Sequence, residues 1–370
     1  MARLTRAQQQ ERTRAAVLVA ARAEFAERGY AEAKVDRIAE RAELTRGAVY
    51  SNFTGKRALY LAVLAEDAER AAAAAEPPAR PPASAGRALG AFARVWLERL
   101  PLAGDPPASG HLRLRSLSGV LDTGPARAAL AELLRFEALL LALALEPRSP
   151  APIRMTRRAE LALTLLHGAA GLAESAPGVG DPFDLAAAAE HLADTALTDD
   201  AEPPHLPFVA PARPTADRWA APRGARDEIT GRQVDLGADG VLVVLGVARL
   251  SAAEEAVRSA RPGDEVTIVV VSGDPAETGR LARLRVVDLV GCLRRVFPAG
   301  ELPGPRVVLD EAGAVPAALG LGPVDDGAEF AVRVDGGRVV ARAEGRGAGH
   351  AAAGHGATRD RGRRQGPAPA

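Results

Sequence analysis

Two hydrophobic periods divide this chain, and the change between them is the strongest constraint on its fold. Up to residue 197 apolar residues recur every three or four positions. Val17, Leu18, Ala21 and Phe25 do so, which gathers them on one helical face and leaves Arg14, Arg22 and Glu24 on the outer side. Beyond residue 226 the apolar residues form unbroken β-branched runs of strand length at 241–247 and 266–271, with a helical stretch at 251–261 between them. That order is a βαβ unit, expected for a buried parallel pair with a crossover helix. A further strand at 306–310 and a hairpin at 329–343, turning on Asp335-Gly336-Gly337, complete the pattern. The chain therefore reads as multidomain, all-α and then α/β, and its 370 residues suit two or three domains of about 150 each.

Punctuation sets the boundaries. A helix is expected at 8–28, ended by Gly29, and then a short one with Val35, Ile38 and Ala39 turned inward. A third, at 46–52, has Thr45 as its N-cap, and a fourth runs from Gly55 to Ala75. The proline-rich stretch 77–82 interrupts them. Further helices follow at 85–100, 112–121, 125–145, 155–173 and 185–196, and their short connections indicate a bundle. The expected division is 1–59, 60–197, a Pro-, Asp- and Ala-rich linker at 198–225, an α/β domain at 226–345 and a disordered Gly/Ala/Arg/Pro tail at 346–370.

Composition excludes several functions. A single cysteine, Cys292, rules out an intrachain disulfide, a CxxC redox pair and a cysteine-rich zinc site. There is no HExxH and no other metal-ligand spacing, so neither metal nor cofactor is expected. The most apolar stretch, 138–145, is too short to span a bilayer, and no leader-like run follows the first arginines, so a cytoplasmic protein without membrane contact is expected. Formal net charge is zero, but residues 1–60 carry 12 Lys and Arg against 7 Asp and Glu, a local excess that suits a phosphate-facing surface.

That basic region also has the parts of a helix-turn-helix. Ile38, Ala39 and Leu44 can prop a second helix, Thr45-Arg46-Gly47-Ala48-Val49-Tyr50-Ser51, with Val49 and Phe53 turned inward. The stretch Arg14 to Leu59 resembles the N-terminal domain of the TetR family of transcriptional regulators. The residues that carry this are Ala21 to Phe25, Gly29-Tyr30, Val35, Ile38-Ala39, Ala42, Gly47 to Tyr50, Phe53, Lys56 and Leu59. The resemblance implies DNA as partner, with Thr45, Tyr50 and Lys56 on backbone phosphate and Arg46, Ala48 and Ser51 facing bases. Arg46 is the candidate for a bidentate guanine contact. Two positions depart from the family. Glu43 stands where the turn usually has glycine, and Lys34 replaces the usual Ser or Thr cap while keeping a charge for phosphate.

The same resemblance makes residues 60–197 a dimerising domain for an unidentified small-molecule effector, and the chain a ligand-responsive repressor rather than an enzyme, with the helices at 155–173 and 185–196 pairing with a partner copy. Trp96, His111, Arg113, Arg115, Phe136 and His167 are the candidate pocket residues. The α/β part resembles a thioredoxin-like or peroxiredoxin-like fold in 241–246, 307–313, 318–320 and 330–340. It departs from it where such a fold keeps its reactive cysteine, with Val247-Ala248-Arg249-Leu250-Ser251 after the first strand. A non-catalytic, separable sensing or interaction module is therefore expected. The alternative is a DNA-tethered thiol-redox enzyme or redox sensor using Cys292.

Overall fold

The computed structural model describes residues 5–100, 115–176, 178–199, 202–302 and 304–355. Helix α1, Arg6–Glu32, opens on a capping box in which the Thr5 hydroxyl accepts from the Gln8 backbone N–H and the Gln8 side chain accepts from Thr5. Gly29, at φ 68°, breaks its helical geometry where a glycine stop was expected. Then come α2 (Val35–Arg41), α3 (Arg46–Tyr50), α4 (Lys56–Ala73), α5 (Ala85–Leu97), α6 (Gly124–Leu145), α7 (Thr156–Ser175) and α8 (Pro182–Leu192). The helix expected at 112–121 is not found over its described part. Residues 115–121 form turns, with Arg115 and Gly119 both in the left-handed region, and 112–114 lie outside the described residues.

The second half contains β1 (Arg213–Arg218), β2 (Gly240–Gly246), α9 (Ala252–Ser259), β3 (Glu265–Val271), α10 (Thr278–Arg294), β4 (Arg306–Leu309), α11 (Ala314–Ala318), β5 (Glu329–Asp335), β6 (Arg338–Glu344) and α12 (Ala348–Gly354). They build a six-stranded mixed sheet in the order β1-β6-β5-β2-β3-β4. The expected βαβ unit is present, with Val243 level with Ile268 in the parallel β2–β3 pair, and so is the hairpin of β5 and β6.

Two expectations need correction. The stretch 198–225 is not only a linker, because β1 within it pairs antiparallel with β6 as an edge strand. The tail does not start at 346, because α12 covers the sheet with Ala352 and Ala353 fully buried. Its small residues favour close packing here. A Cβ placed on Gly349 would lie 2.7 Å from that of Ala256, so α9 and α12 touch almost backbone to backbone.

The helical and α/β parts share one core. A single cluster of buried side chains runs from Val17, Phe25 and Ile38 through Leu64, Phe92 and Phe136 to Val243 and Ile268 of the sheet. The joint is α10, which packs along α4 and against α6. Gly291 permits this approach, since a Cβ there would meet that of Ala72 at 3.2 Å. Helix α6 is accordingly buried on every side from Glu137 to Leu145. Polar contacts rim the joint: Arg258 with Glu146 at 2.5 Å, Arg148 with Glu301 at 2.6 Å, Arg295 with Glu98 at 2.6 Å, and Arg57 with Glu277.

The α/β part is thus not a detachable module. A fragment ending at residue 197 exposes the faces of α4 and α6 that α10 covers. It is expected to melt roughly 10 °C or more below the full chain and to aggregate, since each lost kcal/mol lowers Tm by about 2–4 °C at this size. A fragment with the melting temperature of the full chain contradicts the shared core.

Candidate nucleic-acid interface

The helix-turn-helix is assembled by burial. Ile38 and Ala39 of α2 and Val49 of α3 are buried with Phe53, and Leu44 packs against them from the turn. Glu43 adopts φ 55°, the left-handed conformation that the usual glycine takes without strain and that costs other residues about 1–2 kcal/mol. The turn is closed by the Glu43 N–H on Glu40 O at 3.1 Å and the Leu44 N–H on Ala39 O at 2.9 Å. Lys34 precedes α2 with no side-chain cap, whereas the Thr45 hydroxyl accepts from the Ala48 N–H at 3.2 Å.

This scaffold leaves Lys34, Thr45, Arg46, Tyr50 and Ser51 exposed, with Ala48 and Lys56 half-buried. The Arg46 guanidinium rests 5.5 Å above the Tyr50 ring and 3.3 Å from Asp36. A hydrogen bond with Tyr50, and then the Asp36 charge, raise its pKa, so its positive charge is secure. Ser51 turns its hydroxyl back to Ala48 O at 2.9 Å. Lys56 is more committed than expected. Its ammonium donates to Ala31 O at 2.9 Å and lies 4.8 Å over the Tyr30 ring, which ties α4 to the end of α1, and burial lowers its pKa.

Glu24 was expected on the outer face, but it is fully buried. Its carboxylate holds Arg28 at 3.4 Å and Arg41 at 3.2 Å and accepts from the Lys34 N–H at 3.4 Å, fastening α1 to the start of α2. The signal was available, because position 24 lies three residues beyond Ala21 and seven beyond Val17, on the inward face. Asp36, the partner of Arg46, carried no such signal.

Residues 17–63 match the family model described as bacterial regulatory proteins, tetR family. Over this segment the chain matches the N-terminal domain of the tetR family. Solved structures similar to the chain include a transcriptional regulator from Rhodococcus sp. Rha1, at 22% identity and TM-score 0.36, covering 49% of this chain and 94% of that one. A TetR-like regulator from Rhodococcus sp. RHA1 is 24% identical at TM-score 0.30, with 52% of this chain and 96% of that one covered. NalD, the secondary repressor of the MexAB-OprM multidrug efflux pump in Pseudomonas aeruginosa, is 21% identical at TM-score 0.30, with 50% and 94% covered. No curated protein matches the chain.

Behind the TetR-type domain, the candidate pocket residues are packed together. Trp96 and His167 meet edge to face at 5.3 Å, and Phe136 is fully buried. Two charged side chains of α10 enter beside them. Arg285 reaches Glu137 at 2.6 Å and His167 Nε2 at 3.0 Å. Asp288 receives Arg99 at 2.6 Å and also pairs with Arg115. Burial raises the Glu137 pKa, whereas Asp288, which burial alone would raise, is held below its ordinary value by Arg99 and Arg115. His111 and Arg113 lie outside the described residues.

The thiol-redox alternative is not favoured. Cys292 is 5% exposed, burial raises its pKa, and its Sγ lies 2.9 Å from Arg99 as part of this packed cluster. A buried, protonated thiol is a poor nucleophile. Among the described residues no cluster of three or more metal-ligating side chains occurs, and no helix is long and apolar enough to cross a membrane.

Burial, and then the charge of Arg285, push the His167 pKa down to about 3 from 6.5. Because Arg285 can only donate, Nε2 must accept and the ring is neutral. Between those two values the unfolded chain binds more protons than the folded one. Stability is therefore complete above the unfolded value and falls with acidification, by up to about 1.4 kcal/mol per pH unit. Glu137, with its raised pKa, opposes part of this loss. Melting temperature is expected to fall between about pH 7 and pH 5, and His167→Gln, which keeps an acceptor for Arg285, flattens the dependence. Equal slopes in both proteins contradict this role for His167.

Proposed function

We propose that the chain is a homodimeric, small-molecule-responsive repressor that binds a two-fold-symmetric operator in the cytoplasm, and that it is a regulator and not an enzyme. The observation that carries this is the exposed face of α3, where Arg46, Tyr50 and Ser51 project from a helix start capped by Thr45. In this reading Thr45, Tyr50 and Lys34 contact phosphates and orient the helix. Arg46 leaves Asp36 for a guanine edge, and Ala48 and Ser51 face neighbouring bases. Lys56 contributes from the start of α4, where it fixes the domain's frame and adds positive charge. Selecting bound fragments from the native genome and footprinting them provides the test. Arg46→Ala is expected to weaken the selected site by about five- to 150-fold, as loss of a bidentate base contact does, and to relax one base position. Tyr50→Phe is expected to weaken all sequences alike. Binding unchanged in both variants sinks the reading.

Dimerisation is supported by an apolar face on α7 and α8. Leu161, Leu165, Gly168 and Leu172 recur at helical spacing, and Leu161 is 43% and Leu172 53% exposed. Phe183, at the start of α8, is 78% exposed. A second copy placed here would join two α3 helices in one particle, as an operator with two half-sites about one helical turn apart requires. Leu172→Glu is expected to give a monomer in sedimentation equilibrium and to reduce operator affinity sharply. A dimer that persists in this variant removes the interface from α7.

Residues 240–354 support the reading of a thioredoxin-like, non-catalytic domain. A parallel βαβ unit is extended by a hairpin whose first strand pairs with β2, and a helix closes the sheet. The position after β2 holds Val247 to Ser251 in place of a cysteine.

A further inference from the structure

A cleft of about 710 Å³ lies between the end of α4 and the α/β part. Its apolar walls are Ala72 and Ala73 of α4, Val287 of α10, Val308 of β4 and Val315 of α11. This volume falls in the range that small-molecule sites occupy. The polar groups within it are unevenly satisfied. Arg283 gathers three carboxylates, Glu311 at 2.5 Å, Glu69 at 3.3 Å and Glu228 at 3.9 Å. Both oxygens of Asp310 accept backbone N–H groups, from Ala314 at 3.0 Å and Val315 at 2.8 Å. The acids of the cleft therefore have partners.

Among the described residues, neither Arg226 nor Arg294 forms an ion pair with a carboxylate. Arg226 Nε donates to Gly231 O at 2.9 Å, and Arg294 donates to Ile229 O at 3.0 Å and Glu228 O at 2.8 Å. Those carbonyl contacts fix both guanidiniums without neutralising either. They also converge, since a Cβ placed on Gly231 would stand 3.1 Å from Arg226 Nη2 and 3.4 Å from Arg294 Nη2. Burial, and then the neighbouring Arg226 charge, lower the Arg294 pKa, and the charges of Glu228 and Asp227 offset only part of this. An oxyanion relieves that repulsion and can present two oxygens to the fork of an arginine.

We propose that this cleft binds a small organic oxyanion, a carboxylate or phosphate monoester with an apolar body, with the anion on Arg226 and Arg294 and the body against Ala72, Val287 and Val315. The occupant touches the last turn of α4, whose first turn holds Lys56 and Arg57 beside the helix-turn-helix. It is therefore placed to act as the effector, a role that rests on the regulator reading above, while binding itself does not.

Full-length protein is titrated calorimetrically with phenyl phosphate, phenylacetate and, as a neutral analogue, benzyl alcohol. Saturable binding of one anion per chain, with a Kd on the order of 1 mM or below and none for the alcohol, is expected. Arg226→Glu, at an exposed position, and Arg294→Gln each weaken it by about tenfold or more, the loss expected for a charge-assisted hydrogen bond. The phosphate and carboxylate arms identify which oxyanion the pair prefers. Absence of saturable binding by either anion, or equal affinity in Arg226→Glu and wild type, overturns the site. Binding that leaves the affinity for the selected DNA fragment unchanged overturns the effector role. A protein that binds the anion but no DNA fails the regulator reading and leaves the cleft assignment standing.

Discussion

The arrangement of this molecule depends on the docking of α10 into the helical part. Its face is mostly apolar, but it also carries Arg285 and Asp288 into the interior, where Glu137, Arg99 and Arg115 receive them. Buried ion pairs contribute little net stability, because desolvation offsets most of their attraction. Breaking one leaves a charge without a partner at a cost of about 3–5 kcal/mol. The two pairs therefore act on register. Sliding α10 by one residue rotates its side chains by about 100° and strands both charges in an apolar core. The apolar contacts alone, largely Val, Leu and Ala, would tolerate several registers.

That docking makes α4 a shared element. Its first turn frames the DNA-binding domain through Lys56 on Ala31 and through Arg57 paired with Glu277 just before α10. Its middle is buried between α1 and α10, and its end forms a wall of the cleft beside Arg226. A displacement of α10 along α4 must therefore be felt at both ends, because close-packed interfaces move in steps and do not deform smoothly. The packed state of Trp96, Phe136 and His167 has the same origin, since Arg285 arrives from α10 into the space these residues surround.

Much of this could be read from local pattern. The capped start of α3, the Gly29 break, the parallel β2–β3 pair and the β5–β6 hairpin each follow from a few neighbouring residues whose conformational limits are strong, whereas the left-handed Glu43 is implied only by the family resemblance. What could not be read depended on distant partners. Arg285 and Asp288 look like ordinary solvated charges until Glu137 and Arg99 are placed opposite them, more than a hundred positions earlier in the chain. The stretch at 346–355 is mostly Gly and Ala, which suit a flexible tail equally well, and packing against Ala256 turns it into a helix. β1 is similar: a mostly exposed edge strand has no apolar alternation to announce it, and its pairing is specified by β6. Glu24 is the instructive exception, because its inward position was periodic and only its charge argued otherwise.

The two arginine systems of the α/β part behave in opposite ways, and their difference follows from where the carboxylates fall. On the inner face of α10, each buried charge has an ion-pair partner at hydrogen-bond distance, although among the described residues Glu137 Oε1 accepts no hydrogen bond and Arg285 Nε donates none, so the charges of the cluster are engaged with one another. Near its end, Arg294 and the adjacent Arg226 donate to carbonyl oxygens and, among the described residues, to no carboxylate, which orients each guanidinium without an ion pair. A closed cluster sets geometry, while an open one responds to what arrives. Both lie on or beside the helix that packs along α4, so an anion at the open site acts on an element whose register the closed cluster has already set.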